Sequence, residues 1–296
     1  MRLLRYGPRG QEQPALLDKN GRMRALAGVL PDINPAALAP AELARLAALV
    51  PESLPLVPDG VRLGSCVGGV GNIICIGLNY SDHAAEAGLK VPSQPIVFSK
   101  HTAALAGPDD PIVLGPGAEK TDWEVELAVV IGSPCWHVAA HEALDFVAGY
   151  CLFNDVSERA WQMEMEGQWI KGKSYYSFAP AGPWLVTRDE VPDPQALDLW
   201  LEVNDRRMQT GSTRTMIFGV AEIVAYLSRF MALQPGDLIA TGTPPGVGMG
   251  HKPPQFLRAG DSVRLGGSGL GEQRQRVLAF EPDMAQSWRR GEFPRA

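Results

Sequence analysis

The chain has 296 residues, 45% hydrophobic and 20% charged, a composition that fits a folded protein of one large domain or two unequal ones. Its 27 basic and 33 acidic side chains leave a net charge of −6, the wrong sign for a general binder of nucleic acid or of anionic membrane surfaces. The first residues carry no apolar signal-peptide core and no apolar run reaches a membrane span of roughly 18 residues, so a cytoplasmic location is expected.

The 32 glycines and 25 prolines are scattered without a period, which predicts many turns and a strand-rich mixed α/β fold. Residues 3–6, 14–18 and 23–27 read as short strands, with a turn at Asp18-Lys19-Asn20-Gly21. A helix is expected over 35–49, starting near Pro40, then a proline-rich linker over 51–58. A boundary between 60 and 70 divides a small N-terminal α+β domain, 1–65, from a larger domain, 66–296. In the larger part, 71–78 reads as a buried strand and 79–88 as a loop and short helix closed by Gly88. Strands follow at 95–99, 122–131 and 149–154, with helices over 141–148 and 157–166. Further strands are expected at 183–187 and 198–203, the second ending in an Asn204-Asp205 hairpin turn. The pattern closes with a helix over 219–231, a strand over 236–240, a glycine-rich loop over 241–248, and strands near 261–266 and 274–280. The four cysteines, at 66, 75, 135 and 151, form no Cys-x-x-Cys pair and sit in apolar stretches, so buried reduced thiols are expected.

Three clusters carry chemistry. In Asp122-Trp123-Glu124-Val125-Glu126-Leu127 the two-residue period of a strand puts Glu124 and Glu126 on one face, about 7 Å apart, with an apolar opposite face. Two carboxylates at the entrance of a buried strand repel each other unless a cation lies between them, and Asp155, after an apolar strand, is a candidate third ligand. Three carboxylates without histidine or cysteine suit a hard divalent cation such as Mg²⁺, Mn²⁺ or Ca²⁺. His83 and Glu86, three residues apart on a short helix, can hydrogen-bond, which is the arrangement of a general base. Lys173, in an aromatic-rich run, can pair with a substrate carboxylate or an enolate oxygen. Thr241-Gly-Thr243-Pro-Pro-Gly lacks the Gly-Lys-Ser/Thr ending of a phosphate-binding loop, and no dinucleotide fingerprint is present.

Together these segments resemble the fumarylacetoacetate hydrolase family over residues 70–282. The motifs that carry the likeness are Ile76-Gly-Leu-Asn-Tyr80 with His83 and Glu86, Asp122-Trp-Glu124-Val-Glu126-Leu-Ala-Val-Val-Ile-Gly132, and Asn154-Asp155-Val-Ser-Glu-Arg159. Gly172-Lys173-Ser, Gly182-Pro-Trp-Leu-Val-Thr187, Thr215-Met-Ile-Phe218 and Thr241-Gly-Thr-Pro-Pro-Gly-Val-Gly248 follow in the family's order. The resemblance implies a β-sandwich roll, a homodimer, and one Mg²⁺ or Mn²⁺ per subunit held by Glu124, Glu126 and Asp155. It implies a water-activating pair His83–Glu86, a catalytic Lys173, and substrate contacts from Gln162, Thr243 and Arg159. Tyr175-Tyr176 departs from close relatives, which puts the pocket near the lysine in question. The expected reaction is hydrolysis of the C3–C4 bond of a 2,4-dioxo acid. The closest likeness is to bacterial hydrolases of 2,4-diketo-3-deoxy sugar acids, which release pyruvate and lactate. Ureidoglycolate lyase, oxaloacetate decarboxylase, a catechol-pathway hydratase or isomerase, and a keto-acid-binding module without turnover are the alternatives.

Overall fold

The computed structural model describes residues 1–290. Its centre is two antiparallel strands, Val125–Ile131 and Val147–Asn154, in which every residue is buried. Both sequences are rich in β-branched and aromatic residues, as strands covered on both faces require. On one side, Leu238–Ala240 pairs antiparallel with Val125–Ile131, Ile73–Gly77 lies parallel to it, and Ile96–Lys100 forms the edge. On the other side, Ala179–Thr187 pairs with Val147–Asn154, followed by Arg2–Tyr6, Gln13–Leu17 and Met23–Ala25. Among the described residues this makes a ten-stranded mixed sheet, counting Leu105–Ala106, which pairs in parallel with Ala179–Thr187.

The segment 1–65, expected as a small separate domain, therefore extends the edge of the main sheet. Leu3 lies opposite Leu185, and Leu3 and Leu16 belong to the same core as Val129 and Leu152. Only Leu4, Ala15 and Val57 form a satellite cluster.

A second, five-stranded sheet runs Arg206–Ser212, Asp198–Val203, Ser262–Gly267, Gly271–Ala279, Ile112–Leu114. Leu199, Leu201, Val263 and Leu265 join it to the common core. Buried amides also tie it to the main sheet. Gln273 Nε2 donates to the Leu152 and Gly182 carbonyls at 3.0 and 2.9 Å, and Asn154 Nδ2 donates to Gln275 Oε1 at 3.2 Å. The Val125 N–H, left without a strand partner at the entry of its strand, donates to Gln209 Oε1 at 2.9 Å.

Several expected elements change. The helix over 141–148 is absent: a 3-10 turn spans Ala143–Phe146 and the chain enters the sheet at Val147. Pairing of Val147 with Ile131, and donation from the Gly132 N–H to the Phe146 carbonyl, override the local helical preference. The helix over 35–49 splits into a 3-10 turn, Pro35–Leu38, and an α-helix, Pro40–Ala47, because Pro40 takes the first-turn position where its missing N–H does no harm. The helix over 157–166 shortens to Arg159–Met163. Asn204 and Asp205, at φ +52° and +60°, form the expected two-residue hairpin turn, and its second strand, Arg206–Ser212, was not foreseen. Neither was the helix Pro282–Arg289. All four cysteines are free and buried. No helix among the described residues is long and apolar enough to cross a membrane.

Candidate active site

The strand bearing the two glutamates is interrupted. Thr121–Asp122 pairs with Ser157–Glu158, and the ladder with Val147–Asn154 resumes only at Val125. Across the gap the Asp155 N–H donates to the Glu124 carbonyl at 2.9 Å, and the Glu124 N–H donates to Asn154 Oδ1 at 3.2 Å. This crossing sets Asp155 beside the two glutamates. Carboxylate oxygens of Glu124, Glu126 and Asp155 lie within 4.8 Å of one another, all buried.

Three cations surround them. Lys173 Nζ bridges Glu124 Oε2 at 2.8 Å and Asp155 Oδ2 at 2.7 Å. Arg159 Nη2 donates to Glu124 Oε1 at 2.6 Å, while its Nε donates to Asp122 Oδ2 at 2.9 Å. Lys100 donates to Asp155 and, at 3.0 Å, to the Val156 carbonyl. Burial opposes the Glu124 charge, but Arg159 and Lys173 outweigh it and hold the carboxyl well below its ordinary range. Burial also opposes the Lys173 charge, and Asp155 and Glu124 reverse that and raise the ammonium. Glu126 differs. It accepts from the Gly242 N–H at 2.8 Å and forms no salt bridge among the described residues. Burial, then the Asp155 and Glu124 charges, push its carboxyl far up. Counting Asp122, four carboxylates meet three cations. The deficit falls on Glu126, so a hard divalent ion held by these three oxygen ligands fits the donor set and would supply the cation that Glu126 lacks.

Two short helices present the polar floor. Glu158 caps Arg159–Met163 by accepting from the Ala160 N–H at 3.3 Å. The next helix, Ile170–Lys173, lies hard against it at Gly172, where a Cβ would fall 2.5 Å from the Gln162 nitrogen and the Glu158 carbonyl. Only glycine permits that approach, and it carries Lys173 to the carboxylates. Gln162 Oε1 accepts from Arg159 Nη1 at 3.1 Å. Thr243 Oγ1 donates to the Val125 carbonyl at 2.9 Å and accepts from Gln209 Nε2 at 2.8 Å, so its proton is committed to the fold.

His83 lies on the helix Ser81–Glu86, which Leu78, at φ +50°, turns away from the strand Ile73–Gly77. Its Nδ1 is 3.1 Å from Glu86 Oε2. The Glu86 carboxylate in turn accepts from the Gly246 N–H at 3.1 and 3.2 Å, and Asp82 Oδ2 accepts from Thr215 Oγ1 at 3.1 Å. The helix is therefore docked on the glycine-rich loop. A cavity of about 150 Å³ brings His83 together with Glu124, Glu126, Arg159, Gln162, Lys173 and Thr243.

Tyr175 and Tyr176 point elsewhere. Tyr175 packs on Trp161 and Phe178, each at 5.5 Å between ring centres, and the Tyr176 hydroxyl accepts from Arg9 Nη1 at 2.8 Å. They line a separate apolar cavity with Phe280, Met284 and Trp288, so the departure leaves the lysine's pocket untouched. Two site residues escaped the sequence reading. Asp122 is fully buried and accepts from the Gly248 and Met249 N–H groups as well as from Arg159. It follows the same two-residue spacing as Glu124 and Glu126, a signal that was available. Lys100 ends an edge strand, and nothing local marks it as buried.

The fumarylacetoacetate (FAA) hydrolase C-terminal family matches residues 72–278. A Burkholderia multivorans protein named as a hydrolase, with no substrate given, is 62% identical over 280 residues, covering 94% of this chain and 99% of its own length. Among solved structures, the probable 2-hydroxyhepta-2,4-diene-1,7-dioate isomerase of Mycobacterium abscessus is 32% identical with a TM-score of 0.82, over 95% of this chain and all of that one. Maleylpyruvate hydrolase from Sphingobium sp. SYK-6, solved with manganese(II) and pyruvate, is 30% identical with a TM-score of 0.78 over the same shares. With the family pattern spanning most of the chain and the acidic triad seated at the centre of its fold, the chain belongs to the fumarylacetoacetate hydrolase family.

Proposed function

We propose that the protein is a divalent-metal-dependent hydrolase that cleaves the C3–C4 bond of acylpyruvates, 2,4-dioxo acids of the form R–CO–CH₂–CO–COO⁻. The observation that carries this reading is the meeting, in one cavity, of a three-carboxylate cluster, a buried lysine and a histidine–carboxylate pair. Mg²⁺ or Mn²⁺ held by Glu124, Glu126 and Asp155 would polarise the substrate's C1 carboxylate and C2 oxygen. Glu86 orients His83, which takes a proton from water as the water oxygen attacks C4. The C3–C4 bond then breaks and its electron pair passes to the pyruvate fragment as an enolate. Lys173 lies where the negative charge develops and stabilises it more than it stabilises the ground state. Arg159 and Gln162 form the floor for the substrate's carboxylate end. Protonation at C3 gives pyruvate, and the acyl part leaves as R–COOH.

The solved relative named as a hydrolase of an acylpyruvate, with pyruvate and manganese bound, supports this reading. Isomerisation on the same metal–enolate platform is the rival, because another neighbour is named for it. It needs no water attack, so His83 separates the two. Loss of absorbance of an acylpyruvate under Mn²⁺ should vanish with EDTA. His83→Ala should lower kcat by roughly 10²–10⁴-fold while Mn²⁺ and pyruvate still bind. Normal hydrolysis by that variant would refute the assignment.

A further inference from the structure

The polar groups of the cavity are mostly buried and already engaged, and His83, on the helix Ser81–Glu86, is held by Glu86 through Nδ1. Glu126, Lys173, Gln162 and Thr243 are nearly inaccessible. Arg159 is shared among Asp122, Glu124 and Gln162, and Lys173 between Glu124 and Asp155. The rest of the lining is apolar: Leu78, Leu89, Phe98, Met163, Trp169 and Met249 are its larger members. Trp169 is fixed edge-on to Phe98, with ring centres 5.1 Å apart, and lies so close to Gly77 that a Cβ there would be 3.0 Å from its ring. At the mouth, Leu89, Met163 and Met249 are 57%, 54% and 42% exposed. Large apolar side chains left open around a polar floor form a surface that gains by being covered.

We infer that the substrate's acyl group beyond C4 is an uncharged, apolar chain or ring. This deepens the proposed acylpyruvate reading and rests on it. A second carboxylate would lie among Leu89, Met163, Trp169 and Met249, whereas the lining cations Arg159 and Lys173 are buried beside Asp122, Glu124 and Asp155, at the end assigned to the first carboxylate. A hydroxylated sugar-acid tail would bring several polar groups to a wall whose only strong side-chain donor among the lining residues is the Trp169 indole N–H. An alkyl or aryl tail would replace water against Trp169 and the two methionines, whose flexible thioethers adapt to its shape.

The test compares kcat/KM under Mn²⁺ for acetyl-, hexanoyl- and benzoylpyruvate with analogues carrying a 5-hydroxyl or a terminal carboxylate. The hexanoyl or benzoyl compound should exceed acetylpyruvate by roughly tenfold or more, and the carboxylate-ended compound should fall below it. Equal or better turnover of the hydroxylated or carboxylate-ended substrate would overturn the inference. A binding comparison separates this outcome from failure of the hydrolase reading. By calorimetry on the Mn²⁺-loaded protein, 2-oxooctanoate should bind at least about tenfold more tightly than 2-oxoadipate. If no acylpyruvate is cleaved, the hydrolase reading fails and this comparison alone decides the inference; equal affinities would overturn it. Met163→Arg, at an exposed position, should move the preference toward 2-oxoadipate, and an unchanged ratio would also count against it.

Discussion

Glu126 is the carboxylate that the protein's own cations leave uncompensated. Its raised carboxyl, caused by burial and then by Asp155 and Glu124, keeps a proton in the metal-free protein at pH values where an ordinary glutamate is ionised. A metal must displace that proton. Apparent affinity should therefore climb with pH, by up to about tenfold per unit, and level off once Glu126 ionises unaided. Calorimetric titration with Mn²⁺ in two buffers of different protonation enthalpy checks this, and a heat independent of buffer would refute it. At this scale the sequence was informative where chemistry follows a period. Glu124 and Glu126 are two residues apart and converge, although Glu124 lies in the gap before the strand Val125–Ile131, and His83 and Glu86 are one helical turn apart. Lys100 was illegible because its partner, Asp155, is 55 residues away. Its role arises from the pairing of distant strands, which no local pattern encodes.

Among elements, the glycine-rich loop links the acidic triad to the histidine helix. Gly242 has φ +96°, donates its N–H to Glu126, and leaves no room for a Cβ, which would fall 2.8 Å from that of Asn79. Gly242→Ala should destabilise the fold by about 1–3 kcal/mol and weaken Mn²⁺ binding at the same time. Thermal melts with and without metal measure both, and an unaltered Mn²⁺ affinity would show that the loop does not position Glu126. Long, strongly patterned strands such as Val125–Ile131 were legible. The misread helix over 141–148 shows the limit: Ala143 to Phe146 carries helical preference, yet sheet pairing of Val147 decides the outcome. The short helix Ile170–Lys173 could not be read either, since four residues make too little periodicity, and Gly172 there serves a contact with another helix.

For the whole molecule, the N-terminal strands are part of the scaffold. Arg2–Tyr6 covers the edge of Ala179–Thr187, a strand paired directly with Val147–Asn154. Deleting residues 1–30 would open that edge and uncover Leu185 and its neighbours. The shortened chain should be largely insoluble, as judged by the soluble fraction on expression and by circular dichroism. A soluble, active 66–296 fragment would restore the two-domain division expected from the proline-rich stretch. Composition and turns conveyed a strand-rich fold, but a proline-rich connection looks the same whether the pieces it joins are separate or share a sheet.

Gln209 gives this unity a thermal consequence. One side chain on the second sheet receives the Val125 N–H and donates to Thr243 and to the Pro244 carbonyl. Two sheets and the glycine-rich loop thus share one amide, which holds Val125, the residue between Glu124 and Glu126. Heat that parts the sheets would also disperse the three carboxylates, so a metal bound by them would raise the melting temperature and a chelator would lower it.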